Sequence, residues 1–336
     1  MKKIIAVLLS ALLLAGILSG CDVFKKNNDK IEIVTTIFPE YDWVREIVGD
    51  KTDRVNITML LDNGADLHSY QPTASDMVRI ANCDMFIYVG GESDEWVDDV
   101  LKTAQNKDMI VVNLLDVLGE SVKEEEVKEG MEGEHDHDHD HEEEEEHEHE
   151  HHHDEDEPEY DEHVWLSLKN AVTLVNYISG KIATLDPDNK DAYAANAAAY
   201  VAKLNALDVR YAAAIEAATV KTLVFGDRFP FRYLVDDYGL DYFAAFVGCS
   251  AESEASFNTI KFLADKVNEL GLKSIMQIEN SNNKIAETVK NATNTKDQTI
   301  RTLNSLQSVT SRDVKNGTTY LGVMEENLAT LTEALK

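Results

Sequence analysis

The sequence is short of basic residues. Its 336 residues contain 31 Lys plus Arg against 63 Asp plus Glu, a formal net charge of -32. A protein that binds nucleic acid neutralises phosphates with clustered Lys and Arg, and this chain has no such cluster. The deficit argues against nucleic acid as a partner and favours a cationic one.

The usual motifs of hydrolases and nucleotide enzymes are missing from the parts of the chain that can form a core. They contain no His-Glu-x-x-His, no Gly-x-Ser-x-Gly and no P-loop. Outside one low-complexity segment the chain has only two histidines, so a third imidazole for an open catalytic zinc site is lacking. We therefore expect a protein that binds its ligand without covalent chemistry, and not an enzyme.

The first twenty residues form a targeting segment. Two lysines in 1–3 precede an uncharged apolar run over 4–18, which is the pattern of a signal peptide. The run is at the short edge of what a permanent transmembrane helix needs. The letters LSGC that end at Cys21 resemble the bacterial lipobox, which implies cleavage before Cys21 and a diacylglycerol on its sulfur. Because two acyl chains anchor stably, we expect a lipoprotein tethered outside the cell membrane by residues 21–30.

Cysteine is scarce, with only three in the whole chain. Apart from Cys21, the sequence has Cys83 and Cys249, and a disulfide between these two is one possibility in an extracytoplasmic protein. Both lie in apolar, strand-like contexts that fall in different parts of the fold. Two buried free thiols are therefore the favoured arrangement.

Short β-branched runs alternate with amphipathic segments after residue 30. The runs lie at 31–36, 55–61, 84–90, 109–115, 222–226, 241–247, 274–279 and 298–303. They are apolar strands of the buried parallel type, and the alternation predicts an α/β fold. We expect two lobes, each with a mainly parallel sheet flanked by helices. Ligands of such sheets bind beyond the carboxyl ends of the strands, so the expected site is the cleft between the lobes.

A long alanine-rich segment over 187–218 joins the two lobes. It has no interior Gly or Pro, and a helix of this length would extend about 45 Å. Apolar or aromatic residues recur at Tyr193, Ala197, Tyr200, Leu204, Leu207, Tyr211 and Ile215. The segment is therefore predicted to be a rigid spine helix between an N-terminal lobe over 31–186 and a C-terminal lobe over 219–336.

One segment of the N-terminal lobe is acidic and rich in histidine. Residues 120–162 contain 24 Asp plus Glu against two Lys, and nine of the 11 histidines lie between His135 and His153. No core can form from this composition, so a disordered loop is predicted over 122–158. Its many weak ligands favour a zinc collector or sensor, and a solvated acidic spacer is the alternative.

The two remaining histidines are His68 and His163. His68 follows a strand in LLDNGADLHSYQPTASDM, and His163 precedes a helix in EYDEHVWLSLKN. Loops of this kind supply the ligands of a cleft, and neutral imidazole is the commonest zinc ligand. Each histidine alone is more often a hydrogen-bonded surface or core residue. Two in equivalent settings of one lobe favour a metal site.

Several of these stretches point to a known family. ADLHSYQPTASDM, DEHVWLSLKNA, FRYLVDDYGL and TYLGVMEENLATLTEAL resemble, in this order, the ZnuA/AdcA-like zinc-binding proteins of ABC transporters. The resemblance implies an extracytoplasmic solute-binding lipoprotein that captures Zn²⁺ as cargo and delivers it to an ABC permease in the membrane. Mn²⁺ is the alternative cargo, and a non-transporting zinc buffer that uses the His-rich loop is the alternative function. No apolar surface stripe marks an oligomer interface, so a monomer is expected.

The resemblance also implies metal ligands. His68 and His163 match the first-lobe ligands of the family. The position of the second-lobe ligand falls on Arg228, and an arginine cannot coordinate a cation. Its neighbour Asp227, interpreted as a carboxylate at a strand exit, is the predicted replacement. A structural role for Asp227, as a helix cap or as the partner of Arg228, is the alternative.

The fourth ligand position of the family falls near Asn304. A neutral amide is a poor zinc ligand, so three other acids that could approach the cleft stay open: Glu279, Glu252 and Glu254. Two imidazoles with one or two carboxylates suit Zn²⁺ and also Mn²⁺, which accepts more oxygen ligands.

Overall fold

The computed structural model describes residues 30–132, 159–250 and 254–336. The expected signal peptide over 1–20, the lipidation residue Cys21 and nearly all of the tether lie outside the described residues, as does Glu252. Within the described ranges, no helix combines the length and the apolar character needed to cross a membrane.

The first lobe is built on a parallel sheet of four strands in the order β2-β1-β3-β4. Its strands are β1 (Ile31–Thr35), β2 (Val55–Met59), β3 (Met85–Tyr88) and β4 (Ile110–Asn113). Its helices are α1 (Phe38–Val48), α2 (Ala74–Asn82), α3 (Trp96–Lys102), α4 (Leu114–Leu118) and α5 (Leu168–Leu185). Since all four strands are parallel, their carboxyl ends lie at one edge of the sheet.

The second lobe repeats this arrangement, with a parallel sheet in the order β6-β5-β7-β8. Its strands are β5 (Thr222–Phe229), β6 (Asp241–Val247), β7 (Ser274–Ile278) and β8 (Thr299–Leu303). The helices that follow the spine are α7 (Arg232–Tyr238), α8 (Phe257–Leu270), α9 (Lys284–Ala292), α10 (Ser311–Lys315) and α11 (Tyr320–Ala334). The predicted α/β fold of two parallel-sheet lobes is confirmed.

The spine helix is α6 (Lys190–Glu216), and it is 27 residues or about 40 Å long. All seven positions predicted to face the core are buried. The hydroxyl of Tyr193 donates to Asp186 Oδ2 over 2.8 Å near the start of the helix, and that of Tyr211 donates to the carbonyl of Met324 over 2.6 Å near its end. The helix is thereby fixed to the first lobe at one end and to α11 at the other.

The two lobes share one hydrophobic core, which includes residues of both sheets. Buried hydrogen bonds cross between them: Trp165 Nε1 donates to the carbonyl of Ser305 over 2.8 Å, and the Tyr320 hydroxyl donates to the carbonyl of Trp165 over 2.7 Å. The backbone N–H of Tyr320 donates to Asp42 Oδ2 over 2.7 Å. Because unmaking buried hydrogen bonds is costly, we expect only a modest movement of the lobes around the spine.

Both predicted histidine loops lead into capped helices. Thr73 Oγ1 accepts from the N–H of Asp76 at the start of α2, and the Asp76 carboxylate accepts from the N–H of Thr73 in return. Ser167 Oγ accepts from the N–H of Asn170 at the start of α5. These caps fix the points where the chain leaves the cleft.

The first part of the predicted disordered loop is folded. Met131 is buried, and the N–H of Glu132 donates to the carbonyl of Ala245 over 3.0 Å. Residues 122–132 therefore run onto β6, the edge strand of the second sheet. The predicted loop over 122–158 thus includes residues with backbone hydrogen bonds, because backbone pairing does not depend on an apolar sequence. Residues 133–158 lie outside the described residues.

Candidate functional site

Two loops of the first lobe bring the predicted histidines together. His68 lies in a 3₁₀ turn (Leu67–Ser69) beyond β2, and His163 directly precedes another turn (Val164–Leu166) that leads to α5. Their Nε2 atoms are 3.2 Å apart. Two nitrogen ligands of a tetrahedral Zn²⁺, each bonded at about 2.0–2.1 Å, lie about 3.3 Å apart. The observed separation therefore fits one shared ion.

Asp161 orients the ring of His163. Its Oδ1 lies 3.0 Å from His163 Nδ1 and accepts the backbone N–H of His163 over 2.9 Å. The carbonyl of Asp161 in turn accepts from the hydroxyl of Tyr233 over 2.7 Å, so the second lobe holds this loop in place. A carboxylate on Nδ1 is the usual partner of a metal-binding histidine, because it leaves the Nε2 lone pair toward the ion.

His68 has a similar environment. Its Nδ1 lies 2.7 Å from Ser93 Oγ and 3.4 Å from Glu162 Oε2. Burial raises the pKa of Glu162 to about 7, whereas burial and the neighbouring His163 lower the pKa of His68 to about 3. At neutral pH His68 is therefore uncharged, which is the state that binds a metal.

A third donor comes from the second lobe. Cys249 follows β6, and the ligand atoms of His68, His163 and Cys249 all lie within 4.8 Å of one another. Cys249 and Cys83 are both free, so the favoured arrangement of unpaired thiols is confirmed for the described structure. Cys249 is not fully buried, however. Its position directly after a second-lobe strand is the sequence signal for a cleft ligand that its apolar context obscured.

Gln307 also reaches the site. With its amide nitrogen toward Asp66, it donates to the two carboxylate oxygens over 2.9 and 3.2 Å, and its oxygen lies 2.9 Å from His163 Nε2. The sequence singles out Asn304 instead, whose Oδ1 accepts from the N–H of Leu306 over 2.8 Å. Leu306 adopts a φ of 66° in this turn, a conformation that apolar residues rarely take. Sequence patterns do not reveal such a turn.

Arg228 places a positive charge beside the histidines. Its guanidinium, from β5 of the second lobe, donates to Asp66 of the first lobe and forms an ion pair across the cleft. Burial by itself would raise the pKa of Asp66, but Arg228 and His68 hold that pKa below its usual range. Arg228 thus occupies the carboxylate of Asp66, which also accepts from Gln307. Its positive charge opposes the entry of a metal cation.

Asp227 does not converge with the two histidines. It lies inside β5 and not at a strand exit, because the strand continues beyond a register shift between Phe225 and Arg228. Its carboxylate accepts from the N–H of Ile278 over 3.2 Å and from that of Arg228 over 2.9 Å. These bonds correct the assignment of Asp227 as a metal ligand, since its oxygens link β5 to the neighbouring strand β7.

The other acids that were left open lie elsewhere. Glu279 accepts from the backbone N–H and the hydroxyl of Ser305, each over 2.7 Å. With Asn304 it lines a separate cavity of about 360 Å³ in the second lobe. Glu254 is exposed. Among the residues with described positions, the donors that converge are His68, His163 and Cys249.

The site opens onto a cavity of about 300 Å³ between the lobes. The cavity is lined by His68, Glu92, Ser93, Glu125, Glu159, Tyr160, Glu162 and Cys249. Half of these residues are glutamates and none is a lysine or an arginine, so the field in the cavity attracts cations. Glu159, which lines this cavity, comes directly after residues 133–158 in the sequence.

The architecture defines the class of protein. Two α/β lobes, one long connecting helix and a cleft with convergent ligand atoms are the features of a solute-binding protein. The family model of ZnuA, described as zinc-uptake complex component A, periplasmic, matches residues 33–334. The chain belongs to this family, a zinc-binding component of metal transporters, and the resemblance drawn from its sequence is confirmed.

Curated relatives carry the same description. The chain is 34% identical over 337 residues to the zinc-binding lipoprotein AdcA of Streptococcus pneumoniae, covering 99% of this chain and 61% of that protein. It is 31% identical to the high-affinity zinc uptake system protein ZnuA of Bacillus subtilis, covering 91% of this chain and 88% of that protein. The chain thus spans about three fifths of the length of AdcA and most of the length of ZnuA.

Solved structures agree in fold. The Zn(II)-bound ZnuA-like domain of Streptococcus pneumoniae AdcA superposes with a TM-score of 0.68 at 29% identity, covering 91% of this chain and 99% of that domain. The metal-dependent lipoprotein YcdH of Bacillus subtilis has a TM-score of 0.70 at 27% identity, with coverage of 91% and 99%.

Proposed function

We propose that this chain captures one Zn²⁺ between its lobes and delivers it to an ABC permease for import. The observation that supports this most is the 3.2 Å separation of the Nε2 atoms of His68 and His163. Each of the two rings has its Nδ1 beside an oxygen acceptor, which favours the tautomer in which Nε2 carries no proton and can bind an ion. The zinc-binding and zinc-uptake names of the relatives support the same cargo.

The surroundings of the site suit capture from dilute solution. The glutamates of the cavity attract a dication, and the histidines replace its water at the inner end. The nine histidines between His135 and His153 would add weak zinc ligands and raise the local concentration of zinc. Their low-complexity sequence cannot form a core, so we propose that they bind an ion more weakly than the preformed cleft does.

A lipid on Cys21 would hold the protein outside the cell membrane, next to the permease. The shared core and the spine α6 resist a large hinge motion. We therefore propose that the permease recognises a small lobe displacement and the occupied cavity mouth, and that it takes the ion from there.

The alternative function is a surface zinc buffer that does not transport. The observation in its favour is the ion pair of Arg228 and Asp66 at the site, which weakens a cleft for cations. Manganese as cargo is disfavoured by the donor set, since Mn²⁺ prefers oxygen ligands and the convergent atoms are two nitrogens and one sulfur.

Zinc uptake by cells under zinc limitation distinguishes the two functions. One variant carries His68→Ala and His163→Ala, and the other replaces the nine loop histidines with alanine. We expect the cleft variant to reduce radioactive zinc uptake to the level of cells without the chain, and the loop variant to retain most of it. Uptake that neither variant lowers, with cell-surface zinc reduced only in the loop variant, would instead support the buffer.

Gly248→Ala is expected to weaken zinc binding about tenfold, within the range typical of changes around the ligands. An added Cβ would lie 3.0 Å from His163 Cε1 and 3.0 Å from the carbonyl oxygen of Phe229. The His163 ring is fully buried, so it would have to shift within a packed environment. Competition with a chelator measures the Kd. Gly180→Ala in α5 is the matched control, because a Cβ there meets nothing within 4 Å. Equal affinities of the two variants would show that Gly248 does not position the ring.

A further inference from the structure

We propose that the sulfur of Cys249 is the third protein ligand of the ion in the cleft and connects the second lobe to it. This inference rests on the proposed function, because it concerns the same ion. The family resemblance places the second-lobe ligand at Arg228, and its neighbour Asp227 was the predicted replacement, but the oxygens of Asp227 are engaged between strands. The structure assigns the role to a thiolate.

The distances fit a tetrahedral site with one sulfur. With Zn–N bonds of about 2.0–2.1 Å and a Zn–S bond of about 2.3 Å, nitrogen and sulfur ligands lie about 3.6 Å apart. The three ligand atoms of His68, His163 and Cys249 all lie within 4.8 Å of one another without an ion present. A movement of about 1 Å by one side chain would complete the arrangement, which is within the reach of a single χ1 adjustment.

The backbone holds Cys249 at this place. The preceding residue Gly248 lies against the ring of His163, closely enough that a Cβ would be 3.1 Å from Nδ1. The N–H of Cys249 donates to Glu125 Oε1 over 3.4 Å. Two contacts with the first lobe therefore fix the loop after β6, and the thiol lines the same cavity as His68 and Glu162.

Glu162 supplies an independent sign that a cation belongs here. Its side chain is almost fully buried, and its Oε2 has no hydrogen-bond partner. That oxygen lies 3.4 Å from His68 Nδ1. A buried carboxylate oxygen without a donor is costly, and a dication on the far side of the imidazole ring compensates for it.

Other roles for this thiol fit less well. The other cysteine in the described ranges, Cys83, is buried in the first lobe and contacts Ile80 and Met109, so it is no disulfide partner. A bound metal ion replaces the thiol proton, which leaves to solvent as the sulfur–metal bond forms.

A thiolate in this position has a consequence for selectivity. Soft sulfur ligands favour Zn²⁺ over Mn²⁺, whereas carboxylates do not discriminate strongly between them. The proposed set of two neutral imidazoles and one thiolate would also offset half of the charge of the ion beside Arg228. The departure of this chain from a second-lobe carboxylate would thus make it more selective for zinc.

Cobalt spectroscopy of the full-length chain tests this ligand directly. Co²⁺ replaces Zn²⁺ in tetrahedral sites, and a cysteine ligand adds a near-ultraviolet charge-transfer band that nitrogen and oxygen ligands do not produce. The His-rich segment therefore cannot mimic the signal. We would add one equivalent of Co²⁺ to the unaltered chain, to Cys249→Ala, to His68→Ala and to Cys83→Ala as the matched control.

We expect the sulfur band in the unaltered chain and in Cys83→Ala. Cys249→Ala should lose the band and bind zinc at least about tenfold more weakly, on the order of a lost ligand interaction. A chain that shows His68-dependent visible cobalt bands without a sulfur band would overturn the inference and leave the proposed function intact. A sulfur band that persists in Cys249→Ala would also overturn it. If no cobalt band depends on His68, both proposals fail.

Discussion

His163→Ala is expected to weaken zinc binding by at least about a hundredfold. Substituting a residue that only hydrogen-bonds to a metal ligand already costs up to about a hundredfold, and His163 is itself a proposed ligand. The imidazole is fully buried, its Nδ1 is held 3.0 Å from Asp161, and its Nε2 lies 3.2 Å from that of His68. Alanine removes a nitrogen ligand, and Gln307, whose oxygen lies 2.9 Å from His163 Nε2, offers only an amide oxygen in its place. Competition of the purified chain against a zinc chelator measures this loss.

Three controls make the result specific. His147→Ala removes one imidazole from the acidic segment and should leave the Kd of the tight site unchanged. Asp161→Asn keeps the His163 ring and should cost about tenfold, because an amide orients the imidazole less strongly than a carboxylate does. Thermal unfolding without metal shows whether the cavity left by His163→Ala has disturbed the fold. Unchanged affinity of a folded His163→Ala variant, with one ion per chain, would contradict the cleft as the zinc site.

Arg228→Gln is expected to change affinity in the opposite direction and to tighten zinc binding about ten- to a hundredfold. At an effective dielectric constant near 20, a guanidinium and a dication a few ångströms apart repel by roughly 4 kcal/mol or more, and the ion pair with Asp66 offsets part of this repulsion in the native chain. Glutamine removes the positive charge and can still donate to Asp66. The freed carboxylate would stay in place, because the N–H of His68 and the amide of Gln307 also donate to it.

The measurement is again a chelator competition, made at low and at high salt. Arg232→Gln is the matched control, since Arg232 pairs with Glu126 and Asp236 and is not among the residues that line the cavity. Arg228→Lys retains the charge and should bind zinc about as the unaltered chain does. Weaker binding by Arg228→Gln would mean that the ion pair holds the lobes in their binding arrangement and that this contribution exceeds the repulsion.

The opposite signs of these two predictions test a single interpretation of the cleft. His163 contributes a ligand, whereas Arg228 contributes a charge that limits affinity. If both substitutions weaken zinc binding equally, the role of Arg228 is structural and not electrostatic.

The sequence by itself determined the architecture of this protein and two of the three convergent donors. Runs of β-branched residues identified eight strands, and the seven recurring apolar positions of α6 are all buried. Both predictions succeed because the spacing of buried residues within one helix or strand depends on the local sequence. His68 and His163 were identified for a related reason. They are the only histidines outside the acidic segment, and each borders a helix or strand that the pattern predicts.

Only the tertiary structure decided the second-lobe side of the cleft. A register shift carries Asp227 into the interior of β5, a left-handed residue turns Gln307 toward His163, and the loop after β6 presents Cys249. The fold of residues 122–132 likewise depends on a free strand edge in the other lobe. Which side chains meet across a cleft depends on bulges, turns and the docking of the lobes, and these join residues far apart in the chain that local patterns do not relate.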